Sequence, residues 1–313
     1  MSIRVRVPAT SANLGSGVDC MGVALALYLD VTFRKEDLPD FRFAFHLCEG
    51  DEPPKDPADN YILAGMRLVE EAYGRKVPVC SVTVTSQIPL ARGLGSSASA
   101  LVAGILGAFA LCGLPYDEEK VLALATRAEG HPDNVAPAVK GGFTVAAGNG
   151  NDLFVQQVRV PDEDLRAVVA SPAYPLSTEE MRKVLPKDVP LSDAVFQVQH
   201  ACLLVTALQN GDWKTLSEAA GDKLFTPYRK TRMPYLENAF EAGKQAGALC
   251  CMISGSGPSV LAFTDGEEAA SRVRAGWEHM FASMGIPAVV RVLEIDRSGA
   301  IASETPEGTD ERA

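Results

Sequence analysis

Pro89-Leu90-Ala91-Arg92-Gly93-Leu94-Gly95-Ser96-Ser97-Ala98-Ser99 is a glycine turn between a β-branched run, Val79 to Ile88, and an apolar stretch of small residues that ends at Cys112. A strand that breaks into such a turn and resumes as a helix is a phosphate cradle. Gly93 and Gly95 allow positive φ and close backbone approach, and the helix that follows opens with unpaired N–H groups at the positive end of its dipole. Ser96 and Ser97 sit where a hydroxyl reaches a phosphate or its Mg²⁺. A bare Gly-x-Gly reads first as an ordinary strand-to-helix turn; here the serine pair and the anion geometry reverse that preference.

Two other phosphate motifs fit poorly. The P-loop needs Gly-Lys followed by Ser or Thr, whereas Gly243-Lys244 is followed by Gln245. Residues 93–98 satisfy the loose dinucleotide pattern Gly-x-Gly-x-x-Ala, but no second strand closes on an acid about 20 residues later. Instead the helix stops at Gly113, and Asp117-Glu118-Glu119 open another helical run, Val121 to Glu129.

The chain has 313 residues, enough for one large or two modest domains. A net charge of -11 leaves no basic footprint for nucleic acid or anionic lipid. No uninterrupted apolar stretch of about 20 residues is read as a bilayer span, and the alternating N-terminus, Ser2 to Val7, lacks a signal-peptide core. The cytoplasm is therefore expected, without nucleic-acid or membrane partners. Seven cysteines, none in Cys-x-x-Cys, read as reduced thiols, and neither His-Glu-x-x-His nor Gly-x-Ser-x-Gly occurs.

Strands are expected at 3–7, 23–33, 41–47, 140–145, 155–160, 165–170, 249–253, 260–263 and 287–293. Helices are expected at 59–73, 177–185, 192–209, 212–220, 235–246 and 267–284. The polar turn 148–152 suggests a joint between domains 1–152 and 153–303, followed by a charged tail, 304–313.

Polar clusters interrupt this pattern. The loop Pro8 to Asp19 is richer than a hairpin needs; Asn13 and Asp19 could orient an ammonium or hydroxyl, or merely form Asx turns. Glu129-Gly130-His131-Pro132-Asp133-Asn134 follows a helix: one acid could hold Mg²⁺ and another meet a hydroxyl nucleophile, or both could solvate the helix end. Arg182 and Arg229 each read alone as surface charge, but together they could grip one carboxylate through planar, paired hydrogen bonds. Ser254-Gly255-Ser256-Gly257-Pro258-Ser259 is a hairpin turn open enough for backbone to approach a ligand.

In this order the segments resemble the superfamily of galactokinase, homoserine kinase, mevalonate kinase and phosphomevalonate kinase. Its three motifs match Asn13 to Gly22, Pro89 to Ser99 and Ile253 to Ser259. The likeness is narrower to the homoserine kinases, on Pro8-Ala-Thr-Ser-Ala-Asn-Leu-Gly15, His131-Pro-Asp-Asn-Val-Ala-Pro137, Ser177-Thr-x-x-x-Arg-x-x-Leu-Pro186 and Pro227-Tyr-Arg229. It implies an α+β, two-domain small-molecule kinase fold, with a ribosomal-protein-S5-like ATP-binding domain and a ferredoxin-like substrate domain. The implied reaction moves the ATP γ-phosphoryl group to the side-chain hydroxyl of L-homoserine, in threonine biosynthesis.

The resemblance also distributes roles. Ser97 and Glu129 would hold Mg²⁺; Pro89, Leu90, Ala91, Arg92, Gly93, Leu94, Gly95, Ser96, Ser97, Ala98 and Ser99 would wrap the phosphates, with Asn60 and Tyr61 toward the adenine. Asn13 and Asp19 would bind the amino group, Arg182 and Arg229 the carboxylate, and Asp133 and Asn134 the reacting hydroxyl, with Gly255 and Gly257 beside the substrate. The family admits a homodimer. Ser16, Val18 and Phe225 stand where it often has proline, phenylalanine and histidine. A sibling kinase for L-threonine or mevalonate, or a non-catalytic metabolite-binding regulator, remains the alternative at this point.

Overall fold

The computed structural model describes residues 2–48, 50–150, 152–174, 176 and 178–305, with backbone alone at 178, 179 and 305. Alternation at the N-terminus makes β1 (Ser2–Ala12) a strand with one wet face. Ile3, Val5 and Val7 are buried, while Arg4 and Arg6 pair with Asp30 on β2 (Met21–Lys35). From Pro8 onward both faces are covered, because this end of β1 runs beneath the glycine turn.

β3 (Arg42–His46), α1 (Tyr61–Tyr73), β4 (Cys80–Ser86), α2 (Ser96–Leu111), α3 (Glu118–Glu129), α4 (Val135–Lys140), β5 (Phe143–Ala147) and β6 (Phe154–Val158) follow. β3 and β4 are parallel, so α1 serves as the crossover that such a pair requires. The small residues of α2 let helices touch at backbone distance: a Cβ on Gly104 would lie 2.1 Å from the Ile62 carbonyl oxygen. Buried almost all round, α2 shows no amphipathic stripe.

The second sheet holds β7 (Leu165–Pro172), β8 (Cys250–Ile253), β9 (Val260–Asp265) and β10 (Ala288–Glu294) in the antiparallel order β10-β7-β9-β8. Between β7 and β8 run α5 (Thr178–Lys183), α6 (Leu191–Asn210), α7 (Trp213–Ala219), α8 (Thr226–Arg229) and α9 (Leu236–Gln245); α10 (Gly266–Ser283) joins β9 to β10. This is the split βαβ arrangement of a ferredoxin-like layer. Its core centres on Trp277, Tyr235 and Phe281. Trp277 Nε1–H donates to the Ala239 carbonyl at 2.7 Å and the Tyr235 hydroxyl to that of Pro258 at 2.6 Å, so neither aromatic leaves a polar atom stranded.

Several sequence expectations need correction. The division of the sheets does not fall at 152/153: β5 and β6, on either side of that point in the sequence, pair with each other in the first sheet. Nor does a tail begin at 304. β11 (Ile301–Thr305) returns to the first sheet and pairs antiparallel with β1, giving seven strands ordered β11-β1-β2-β4-β3, with β5 on β2 and β6 on β5. Its polar end, with Ser303 and Glu304 exposed, hid an edge strand, whose outer face needs no apolar residues. Residues 306–313 of the expected tail, and Ser177 at the expected start of α5, lie outside the described residues.

α4 was unread because six residues with a central proline carry too little period. α6, 20 residues long with a mean hydropathy of 1.3 over 18 of them, is long and apolar enough to cross a membrane by length and composition, although Ser192, Asp193, Gln197, Gln199 and His200 interrupt its apolar run. Here its Gln197, Leu204, Ala207 and Leu208 are buried within the protein. All seven cysteines are free thiols.

Candidate active site

The glycine turn is held from both sides. Thr10 N–H on β1 donates to the Leu94 carbonyl at 3.1 Å, and the Ser254 hydroxyl, at the end of β8, donates to the Gly93 carbonyl at 2.7 Å. Gly95 takes φ 68°, and a Cβ there would sit 1.9 Å from Thr10 Oγ1, so the turn admits no side chain at this point. Gly95 offers α2 no side-chain cap, which leaves the first amides of the helix aimed outward. Beside them the Ser97 hydroxyl donates to Glu129 Oε1 at 2.8 Å. Glu129 is the last residue of α3, where the helix dipole is negative, so carboxylate and helix end together favour a cation.

Facing this turn is a loop in a sparsely populated backbone conformation. Asn13, Leu14 and Asp19 all have positive φ, at 75°, 44° and 51°. Asn13 staples the loop: its Oδ1 accepts from the Asp19 N–H at 3.0 Å and its Nδ2 donates to the Gly255 carbonyl at 2.9 Å. Asn13 thereby ties Asp19 to the 254–257 turn, and it keeps a second amide N–H and a second oxygen lone pair.

Arg229, only 4% exposed, donates from Nη1 to the same Gly255 carbonyl at 2.8 Å. Its guanidinium lies 4.2 Å over the Phe225 ring, a flat apolar face in place of the family's histidine. The Asp222 carboxylate accepts from the N–H groups of Leu224 and Thr226 at 2.7 and 2.5 Å, fixing the start of α8. Burial pulls the Arg229 pKa down to about 10, against the opposing pull of Asp19 and Asp222. Arg229 Nε is buried without a partner. A buried cation with an orphaned donor is built for an anionic ligand.

Asp133 is 1% exposed. Its Oδ1 lies 2.5 Å from His131 Nδ1 and accepts from the Asn134 N–H at 3.0 Å. The hydrogen bond to Asp133 raises the His131 pKa above its ordinary 6.5, outweighing burial. The Asn134 Oδ1 accepts from the Thr10 hydroxyl at 2.8 Å.

These groups line one cavity of about 480 Å³, which brings together Asp19, Arg182, Arg229, Glu129, Asp133 and Asn134 with Gly93, Gly95, Ser96 and Ser97. Asn13, Leu90, Ala91, Asn60, Tyr61 and Gly255 are also on its wall. Asn60 spends its Oδ1 capping α1, accepting from Ile62 and Leu63 N–H. Alongside Tyr61 the cavity wall carries an apolar lobe that includes Leu29, Phe45, Leu47, Pro54 and Ile88.

Other expected ligands turn away. Leu94 and Ala98 are packed in the core, and the buried Ser99 hydroxyl donates to the Pro8 carbonyl at 2.8 Å, fastening α2 to β1. Arg92 folds back over the carbonyls of its own turn, and neither Pro89 nor Gly257 lines the cavity. The motif marks the segment, but α2 has a back face as well as a front. Conversely, His131 and Thr10 stand inside the quoted motifs without an assigned role, and the apolar lobe has no sequence signature; the spacing of His131, two residues from Asp133, is the signal that could have found it.

The GHMP kinases N terminal domain matches residues 60–142 and the GHMP kinases C terminal domain residues 204–283. A homoserine kinase of Moorella thermoacetica is 38% identical over 297 residues, 95% of this chain and 98% of that protein. One from Picosynechococcus sp. is 37% identical over 306 residues, 96% and 99% of the two chains. The crystal structure of homoserine kinase from Cytophaga hutchinsonii superposes with a TM-score of 0.88 at 31% identity, covering 96% of this chain and 97% of that one.

Proposed function

Because the chain belongs to the homoserine kinases within the GHMP kinases, we propose that its cavity binds ATP and L-homoserine and transfers the γ-phosphoryl group to the side-chain hydroxyl. The observation that carries this reading is the meeting of a phosphate-binding helix start with Asp19 and two guanidiniums in one cavity. The phosphates lie on the turn at Gly93 to Ser97, and the adenine enters the apolar lobe. Arg182 and Arg229 take the α-carboxylate and Asp19 the α-ammonium. This charge pattern fits an amino acid; mevalonate has a carboxylate but no ammonium to pair with Asp19.

The site fits Mg²⁺ in a particular way. Among the described residues no three acids, histidines or cysteines gather as an all-protein cage. One carboxylate and one hydroxyl, Glu129 and Ser97, suit an ion whose remaining ligands are phosphate oxygens and water. Bound there, Mg²⁺ neutralises charge on the phosphates.

The chain's own residues do the positioning on which phosphoryl transfer chiefly depends. The recorded contacts of Asp133 fall on Oδ1, and its other oxygen meets the substrate hydroxyl, orients it for in-line attack and takes its proton as the bond to phosphorus forms. Asn134 Nδ2 donates toward the reacting oxygens.

ADP release measured with Mg-ATP over a panel of small hydroxy compounds tests the proposal. L-homoserine gives the highest kcat/KM and L-threonine, whose hydroxyl is one carbon nearer the α-carbon, much less. Equal turnover of threonine, or activity with mevalonate alone, overturns it.

A further inference from the structure

Asn134 occupies the N-cap position of α4 yet makes no side-chain cap bond. Asparagine at this position ordinarily accepts from the N–H of the second or third helical residue. Neither serves here. The Ala136 N–H donates to the Pro132 carbonyl at 2.7 Å, and the third residue is Pro137, which has no N–H. The carbonyl end of the Asn134 amide therefore lacks its local partner, and its recorded donor comes from 124 residues away, the Thr10 hydroxyl at 2.8 Å.

Thr10 is well placed for that task. It is fully buried in β1, its own N–H is tied to the Leu94 carbonyl, and its Oγ1 sits where a Gly95 Cβ would otherwise be. An amide with its oxygen claimed by a fixed hydroxyl must turn its Nδ2 the other way, and Asn134 lines the cavity. We infer that Thr10 is a positioning residue for phosphoryl transfer: its hydroxyl fixes the orientation of the Asn134 amide so that the NH₂ group, not the oxygen, faces the reacting atoms. A hydroxyl can accept as well as donate, but among the described residues the buried Thr10 hydroxyl has no other acceptor, so a flipped amide would leave its proton unpaired. A flipped Asn134 presents a lone pair where negative charge develops. The inference rests on the reading of Asn134 given above.

Steady-state kinetics with Mg-ATP and L-homoserine on Thr10→Val, Thr10→Ser, Asn134→Ala and the Thr10→Val/Asn134→Ala double variant test it, with Tm recorded for each. Thr10→Val lowers kcat by about tenfold or more and leaves both KM values within about twofold, while Thr10→Ser, which keeps the hydroxyl, stays near wild type. The double variant is no slower than Asn134→Ala to within about twofold, because both changes act through one amide. Should Thr10→Val crowd the Gly95 turn and fail to fold, Thr10→Ala removes the same hydroxyl without adding a methyl there and reads out the same loss. A wild-type kcat in Thr10→Val with a slow Asn134→Ala, an equally slow Thr10→Ser, or multiplying losses in the double variant overturns the inference alone. A wild-type kcat in Asn134→Ala overturns the reading of the site and the inference with it.

Discussion

The two ends of the cavity are made in different ways. At the end we assign to the phosphates the proposed contacts are backbone amides of one continuous segment, 93–97, clamped by hydrogen bonds from Thr10 and Ser254. At the end we assign to the amino acid they are side chains from separate segments: Asp19 between β1 and β2, Arg182 on α5, Arg229 on α8 and Asp133 before α4. Gly255 ties these pieces together, its carbonyl accepting from both Asn13 and Arg229. Backbone recognition is rigid and indifferent to side-chain identity except at its glycines. Side-chain recognition can be retuned, one charge at a time, without disturbing the glycine turn.

The comparison breaks if the phosphate end tolerates a side chain. Gly95→Ala is expected to have the largest effect, because the Cβ collides with Thr10 Oγ1 in a left-handed backbone conformation. The strain and overlap together cost about 2–5 kcal/mol. Activity falls to the detection limit and Tm drops by several degrees, both read in the purified variant; a fully active Gly95→Ala would mean the turn is not rigid.

Glu129→Gln comes next, with kcat lower by on the order of 10², about 3 kcal/mol, since an anionic oxygen ligand becomes neutral at nearly constant volume. The variant should need more Mg²⁺ for half-maximal rate. An unchanged kcat and Mg²⁺ dependence would reduce Glu129 to a helix-end acid.

The smallest effect concerns His131. Its raised pKa means that the pair with Asp133 stabilises the fold fully below the ordinary histidine value of 6.5, and that this contribution is lost as pH rises through the elevated value. The Tm advantage of wild type over His131→Gln, followed from about pH 5.5 to about 8.5, should therefore shrink with rising pH. A difference independent of pH contradicts the pairing.

The contrast between the two ends also explains what could be read from the sequence. A turn made of contiguous backbone leaves a contiguous trace, so residues 89–99 disclosed the glycine turn and its helix directly. Which faces of that segment point inward is set by packing, and hence Leu94 and Ser99 were misplaced. Arg182 and Arg229, 47 positions apart, read singly as surface charge; only the resemblance to known kinases placed them together. The apolar lobe was invisible for a related reason: alternation in β3 marks Phe43 and Phe45 as one face but not what covers them. β11 was missed because its partner strand lies at the opposite end of the chain.

The central claim, that two guanidiniums share the carboxylate of the amino-acid substrate while the nucleotide is held elsewhere, is tested most directly by a double-mutant cycle on Arg182 and Arg229. KM and kcat/KM are measured for L-homoserine and for ATP in Arg182→Ala, Arg229→Ala and the double variant. Each single change should lower kcat/KM for homoserine by about 30- to 10³-fold, roughly 2–4 kcal/mol, with the buried Arg229 the more severe. The ATP KM should hardly move, and the double variant should lose less than the product of the two, because one ligand group is shared. A wild-type homoserine KM in both single variants, or an equal rise in the ATP KM, would contradict the account.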